Sequence, residues 1–168
     1  MAKSILTAED LRTRFSYDST SGLFTRLIGV SGNGTKAGTI AGSKDDQGYL
    51  KITISGQYFK AHRLAWLYVY GVWPVHEVDH INGIRSDNRI INLRDTPRVM
   101  NSENQRSCKS NNKSKLLGVA SPCGKDKKFT ALITVNGKTA RLGRFDTADE
   151  AHQCYIQAKR KMHNGCTL

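Results

Sequence analysis

The chain has 168 residues, with 26 Lys and Arg against 14 Asp and Glu, a formal net charge of +12 at pH 7. That length suits one medium domain or two small ones, and that charge points to a polyanionic partner, either nucleic acid or a membrane surface. No apolar run approaches the roughly 20 residues needed to span a bilayer, and the opening Met1-Ala2-Lys3-Ser4-Ile5-Leu6-Thr7-Ala8-Glu9-Asp10 turns polar at once, unlike a signal peptide; a soluble, cytoplasmic protein is expected.

In chain order, Thr7 with Asp10 three positions on predicts an N-capped helix over residues 7–15. Residues 22–60 are dense in glycine and turn signals, so residues 1–60 read as a β-rich N-terminal segment. Within it, residues 49–54 alternate, Ser55-Gly56 turns and residues 57–61 return, the pattern of a β-hairpin. Leu64, Ala65, Leu67 and Tyr68 then have helical spacing up to Gly71, and Pro74 is expected to end that element.

The most informative stretch is Val78-Asp79-His80-Ile81-Asn82-Gly83, with Asn92 and Asn101 following 13 and 22 positions after Asp79. Asp79 is a hard oxygen donor suited to magnesium or manganese. His80 accepts a proton near neutral pH, and Asn101 offers a neutral oxygen ligand from a second element. One acidic ligand, one base and one neutral ligand suffice to hydrolyse a phosphodiester with a single divalent ion. Taken singly, Asp79 reads as a turn or cap carboxylate and Asn101 as an exposed helix residue; at this spacing they read together as a site.

The phrase Asp79-His80-Ile81-Asn82-Gly83, Ser86-Asp87-Asn88-Arg89, Asn92-Leu93-Arg94 resembles the HNH endonucleases, in the phage and homing branch where Asp-His stands for the first His. Upstream, Gly48-Tyr49-Leu50 and Ala61-His62-Arg63-Leu64-Ala65-Trp66 look like the lead-in of phage HNH proteins. The resemblance implies an α+β protein with a ββα-metal nuclease core over residues 61–106: two short strands, a loop and a helix. Asp79 and His80 would end the first strand and Asn92 would lie on the second. Thr96 would cap the helix with Pro97 at its first position, and Asn101 would lie about one turn inside.

The same resemblance implies that Asp79 and Asn101 hold one divalent cation, magnesium or manganese, and that His80 is the general base. Asn92 would complete the catalytic set by fixing the histidine loop through hydrogen bonds, without bond chemistry of its own. Asn104, one helical turn from Asn101, is the alternative ligand or a phosphate contact. His62 reads as structural, and His76 has no assigned role. Water would attack phosphorus, leaving a 5′-phosphate and a 3′-hydroxyl. A monomer, the expected state, would nick one strand; cutting both would need a dimer or two encounters.

Residues 107–115 form a polar, basic linker. Beyond it, residues 129–135 read as a strand, Asn136-Gly137 as a type I′ turn and residues 138–145 as the partner strand. Thr147-Ala148-Asp149-Glu150 is a capping box, and Ala148, Ala151, Cys154, Tyr155, Ala158 and Met162 form one apolar helical face. Residues 116–168 thus predict a C-terminal sheet with a packed helix. Gly118-Val119, Ala131-Leu132-Ile133, Asn136-Gly137-Lys138, Leu142-Gly143-Arg144-Phe145, Ala148 and Glu150-Ala151 resemble the apetala-type, ethylene-response-factor-like DNA-binding domain, a three-stranded sheet plus helix. The departure is Ser121-Pro122-Cys123-Gly124-Lys125, which stands where that family usually has Arg and aromatic residues that touch DNA.

Arg85, Arg89, Arg94, Arg98 and Arg106 surround the motif and are expected to form a phosphate-binding rim, in place of a merely solvated face, with Arg63 and Asn104 as further DNA contacts. Residues 107–168 carry 12 Lys and Arg and only 4 Asp and Glu, so the tail is the denser electrostatic footprint. Its Lys138, Arg141 and Arg144 are expected to enter a groove of double-stranded DNA. Cys108, Cys123, Cys154 and Cys166 contain no Cys-x-x-Cys pair and read as reduced, unreactive thiols. The expected function is a DNA endonuclease acting in a bacterial host cell if phage-encoded. The rivals are a non-catalytic DNA-binding regulator on a decayed nuclease core, and a zinc-stapled nucleic-acid binder.

Overall fold

The computed structural model describes residues 6–29, 35–108, 111–122 and 127–167. The chain divides into two compact units, Met1–Thr96 and Pro97–Leu168; the division falls inside the segment expected as the nuclease core. Small antiparallel sheets alternate with helices in both units, an α+β architecture.

In the first unit, helix α1 (Ala8–Arg14) is started by a full capping box: Thr7 Oγ1 accepts from the Asp10 N–H (3.1 Å) while the Asp10 carboxylate accepts from the Thr7 N–H (3.3 Å). Strands β1 (Phe15–Asp18), β2 (Leu23–Arg26) and β3 (Ile40–Ala41) form one sheet, and β4 (Ser43–Lys44), β5 (Leu50–Ile54) and β6 (Gln57–Lys60) a second. The β5–β6 turn is the expected one, with Ser55 at φ 49° and Gly56 at φ 75°. Helix α2 (Ala61–Tyr70) follows without a break. It ends at Gly71, whose left-handed backbone lets its N–H reach the Leu67 carbonyl, so the helix stops before Pro74 can act. Leu11, Phe24, Ile52, Leu64, Ala65 and Leu67 form the core between the helices and sheets.

Strands β7 (Glu77–His80) and β8 (Leu93–Thr96) make a two-stranded ladder with Asp79 opposite Arg94 and His80 opposite Leu93. Two expectations are corrected here. Asn92 is not on the second strand; it closes a 3₁₀ turn, Ile90–Asn92, just before β8. Thr96 does not cap a helix. It is the buried last residue of β8, and its Oγ1 finds no hydrogen-bond partner among the described residues.

In the second unit, helix α3 (Arg98–Glu103) has Pro97 at its N-cap rather than at its first position. Strands β9 (Val119–Ala120), β10 (Phe129–Val135) and β11 (Lys138–Phe145) form a sheet in the order β11-β10-β9. The Asn136-Gly137 turn has φ 50° and 75°, the left-handed pair of a type I′ turn. Helix α4 (Ala148–Met162) starts with the Thr147–Glu150 capping box. It packs so closely that a Cβ on Gly118 would fall 2.1 Å from the Tyr155 ring. The apolar face differs from expectation at its end. Met162 is exposed, and the buried position is Lys159, whose Nζ donates to the Gln105 carbonyl.

Candidate active site

The site in the first unit is built on the end of β7. Asp79 and His80 are 7 % and 4 % exposed, so both neighbours are buried although successive strand residues point apart. This works because β7 stops at His80 and the chain turns at once, the Gly83 N–H reaching back to the His80 carbonyl at 2.8 Å.

The loop after His80 is stapled by four polar side chains, those of Asn82, Asp87, Arg89 and Asn92. Asn92 Oδ1 accepts from the Asn82 N–H (2.9 Å) and its Nδ2 donates to the Asp87 carbonyl (2.8 Å), while the Asn92 carbonyl accepts from the Ile81 N–H (2.9 Å). Asn82 Nδ2 donates to the Asp87 carboxylate at 2.7 Å. Arg89 grips the same carboxylate through Nε (2.8 Å) and Nη2 (2.6 Å), and this pairing holds the Asp87 carboxyl down to about 2.

The imidazole of His80 lies with Nε2 3.0 Å from Oδ1 of Asn88. Its ring meets His62 edge-on at 5.0 Å between centroids and Tyr49 at 5.9 Å. Burial pushes His80 below its ordinary value, against the Asn88 hydrogen bond and the Asp79 and Asp87 charges, which pull upward. His62 is driven further, down to about 3, by burial and then by the His80, Arg63 and Lys60 charges. Burial thus favours the neutral form of both imidazoles, the form a proton acceptor needs. Beside them, Arg94 donates through Nε (3.0 Å) and Nη2 (2.8 Å), both to Oδ2 of Asp79.

Four of the arginines expected to meet DNA are engaged within the fold. Arg94 is on Asp79 and Arg89 is on Asp87. Arg85 donates to the Gln47 carbonyl (2.7 Å) and lies over the Tyr49 ring, and Arg63 donates to the His76 carbonyl (3.2 Å) and lies over Trp73. His76 pairs with Asp95.

In the second unit, Asn101 sits half-buried on α3 with its N–H on the Pro97 carbonyl (3.1 Å). Asn104 is buried at the C-cap of α3, and its Oδ1 accepts from the Thr167 hydroxyl. Lys138, Arg141 and Arg144 are exposed on β11, but they do not share a face. A bulge between Ala131 and Leu132 sets Arg141 opposite Leu132 and Arg144 opposite Thr130, while Lys138 stands opposite Val135.

Among the described residues, no three His, Cys, Asp or Glu side chains gather to hold a metal ion, and no helix is long and apolar enough to cross a membrane. Cys108, Cys154 and Cys166 are free thiols; Cys123 lies outside the described residues.

Residues 59–104 match the family model of an HNH endonuclease. The match runs from the end of β6 through α2, β7, β8 and α3, and it supports a nuclease built on these elements. Comparisons with curated proteins and with solved structures find no match.

Sequence reasoning gave no role to Asn88 or Asp87, although it quoted both within the motif. Their adjacency to a recognisable pattern was the available signal. Nothing in the local spacing says that a loop of this length folds Asn88 back onto the His80 ring.

Proposed function

We propose that the chain is a metal-dependent DNA endonuclease of the phage or homing HNH type, nicking one strand of double-stranded DNA at a preferred site. The observation that carries this reading is His80, a buried imidazole at a strand end beside a carboxylate, its neutral form favoured by burial, inside the segment that matches the HNH family.

In this reading His80 takes a proton from the attacking water, and the products are a 5′-phosphate and a 3′-hydroxyl. Asn92 keeps the His80 loop closed through its two side-chain hydrogen bonds. Arg94 holds one carboxylate oxygen of Asp79 with two donors and so sets the direction of the other. Asp79 supplies a carboxylate and Asn101, on the second unit, is the proposed amide-oxygen ligand, donor types that suit a hard cation which completes its shell with water and phosphate oxygens. When bound, magnesium or manganese supplies positive charge to the scissile phosphate and to the leaving 3′ oxygen. The tail sheet supplies affinity through Arg141 and Arg144, acting as an apetala-type module.

The test is nicking of supercoiled plasmid by the full chain with magnesium, with manganese and with chelator, beside His80→Ala. Metal-dependent nicking that falls about 10²–10⁴-fold in His80→Ala, with DNA binding retained, is expected. Binding without cleavage by the wild type would replace this reading with a non-catalytic DNA-binding regulator, and near-wild-type cleavage by His80→Ala would remove its base.

A further inference from the structure

We propose that Asn88 is the positioning residue of His80, and that the N-terminal hairpin holds Asn88 in place for that task. The proposal rests on the nuclease reading for its consequence in rate, and on the hydrogen-bond geometry alone for its statement about the ring.

An amide oxygen can only accept a hydrogen bond. With Asn88 Oδ1 3.0 Å from His80 Nε2, the ring proton sits on Nε2 and the lone pair on Nδ1. Asn88 is 0 % exposed, so no solvent competes for this bond. Its Nδ2 finds no hydrogen-bond partner among the described residues. Burying an amide with one end unsatisfied is unfavourable, and a merely structural position would accommodate an apolar side chain at lower cost. The group fits a task that needs an oxygen at this one point.

The backbone that carries Asn88 is gripped from two sides. On one side the Asp87 carbonyl accepts from Asn92, and the Asp87 carboxylate is tied to Asn82 and Arg89. On the other side, Tyr17 of β1 donates its hydroxyl to the Asn88 carbonyl at 2.7 Å. Burial raises the Tyr17 hydroxyl to about 12, so it stays a donor across the working range. The β1–β2 turn lies directly against the same peptide: a Cβ on Gly22 would fall 2.5 Å from the Arg89 nitrogen and 2.6 Å from the Asn88 carbonyl carbon, both backbone atoms that cannot step aside. Gly22 also has φ +75°. The Tyr17 ring is itself fixed, packed on Phe24 at 4.9 Å and Tyr68 at 5.7 Å between centroids. A chain of contacts thus runs from the core of the first unit through Tyr17 and Gly22 to Asn88 and on to His80. This gives the segment before residue 60 a part in the chemistry that its own composition does not suggest.

The experiment uses the full chain labelled with ¹⁵N-histidine. Long-range ¹H–¹⁵N spectra at mildly alkaline pH report which ring nitrogen carries the proton, and His80→Gln assigns the His80 signals. The wild type should show His80 with its proton on Nε2. Asn88→Ala should populate the other tautomer and lower the single-turnover nicking rate by roughly ten- to a hundredfold, with DNA affinity unchanged. Asn88→Asp, which still offers an oxygen to Nε2, should keep the wild-type tautomer. If Asn88→Ala does not fold, Tyr17→Phe decides: it removes only the hydroxyl and should shift the tautomer balance and the rate in the same direction by a smaller factor. A wild-type His80 protonated on Nδ1, or variants with the wild-type tautomer and rate, overturns the proposal. A wild type that never nicks sinks the nuclease reading instead, and the spectra then decide the claim about Asn88 alone.

Discussion

Arg94→Ala separates an arginine that serves the fold from one that serves the DNA. Charge and position in the motif make Arg94 a phosphate contact, whereas its Nε and Nη2 both lie on Oδ2 of Asp79, at 3.0 and 2.8 Å. The Asp79 side chain is only 9 % exposed and that of Arg94 25 %. A hydrogen bond to a charged group contributes about 1.5–3 kcal/mol, and stranding one member of a fully buried ion pair costs about 3–5 kcal/mol. The partial exposure of Arg94 pulls the expectation to about 2–3 kcal/mol. In a compact unit of this size that is a melting temperature lower by roughly 10–20 °C. Thermal melts by circular dichroism, together with DNA anisotropy titrations over a range of salt, measure both readings at once. The fold-serving reading predicts a large loss of stability, a fall in cleavage rate and an unchanged salt slope. A wild-type melt with a slope of log K against log salt shallower by about 0.9 would refute it and return Arg94 to the phosphate rim.

Asp79→Ala and Asn101→Ala should each lose metal-supported nicking, whereas Asn104→Ala should lower the melting temperature by breaking its contact with Thr167; nicking that survives Asn101→Ala but not Asn104→Ala shows that the ligand is the other asparagine. His62 titrates at about 3 in the fold against roughly 6.5 in the unfolded chain. Between those values the unfolded chain binds the extra proton, so stability falls as pH drops below about 6.5, by up to about 1.4 kcal/mol per pH unit, and is unaffected above it. His62→Gln should flatten that acid limb in melts run from pH 7 to 4.5, and parallel curves for the two proteins would rule the effect out. In the tail, Arg141→Ala and Arg144→Ala should each weaken DNA binding and shallow the salt slope by about 0.9, with Lys138→Ala having less effect; an equal loss from all three would mean that both faces of β11 meet DNA.

What was legible in the sequence is local. The Thr7–Asp10 and Thr147–Glu150 capping boxes, the Ser55-Gly56 and Asn136-Gly137 turns, and β10 and β11 all rest on contacts within a few residues, where side-chain type decides backbone geometry. The Asp79-His80 motif was legible because it lies in a long run of motif residues with Asn92 and Asn101 following, inside the segment that matches the HNH family model. What was not legible depends on partners brought together by the fold. Arg94 carries the same charge in either role, and only the β7–β8 register, with Asp79 opposite it, converts a rim residue into an internal pair. The α4 face shows the same limit. Its buried series steps through Ala151, Tyr155 and Lys159, so the next step falls past Met162, which is left exposed. Lys159 is buried because a backbone carbonyl, that of Gln105, meets its ammonium.

The tail sheet shows how one displaced residue redirects a pair of arginines. Residues three apart on a regular strand point to opposite faces, so Arg141 and Arg144 would ordinarily diverge. The ladder pairs Ala131 with Gly143 but Leu132 with Arg141, skipping Leu142. Beyond the bulge the alternation is inverted, and both arginines stand opposite residues, Leu132 and Thr130, that alternate with the buried Ala131 and Ile133. Ala131 shares its core with Ala151 of α4, so the arginine-bearing face is the one turned away from that helix. Lys138, opposite Val135, keeps the parity of the helix side. Gly143 fits this local arrangement, since a Cβ there would fall 2.9 Å from the Phe145 ring. Two guanidinium groups on one open face, spaced along a strand, can meet successive phosphates or base edges of a groove; a regular strand of the same composition would offer one.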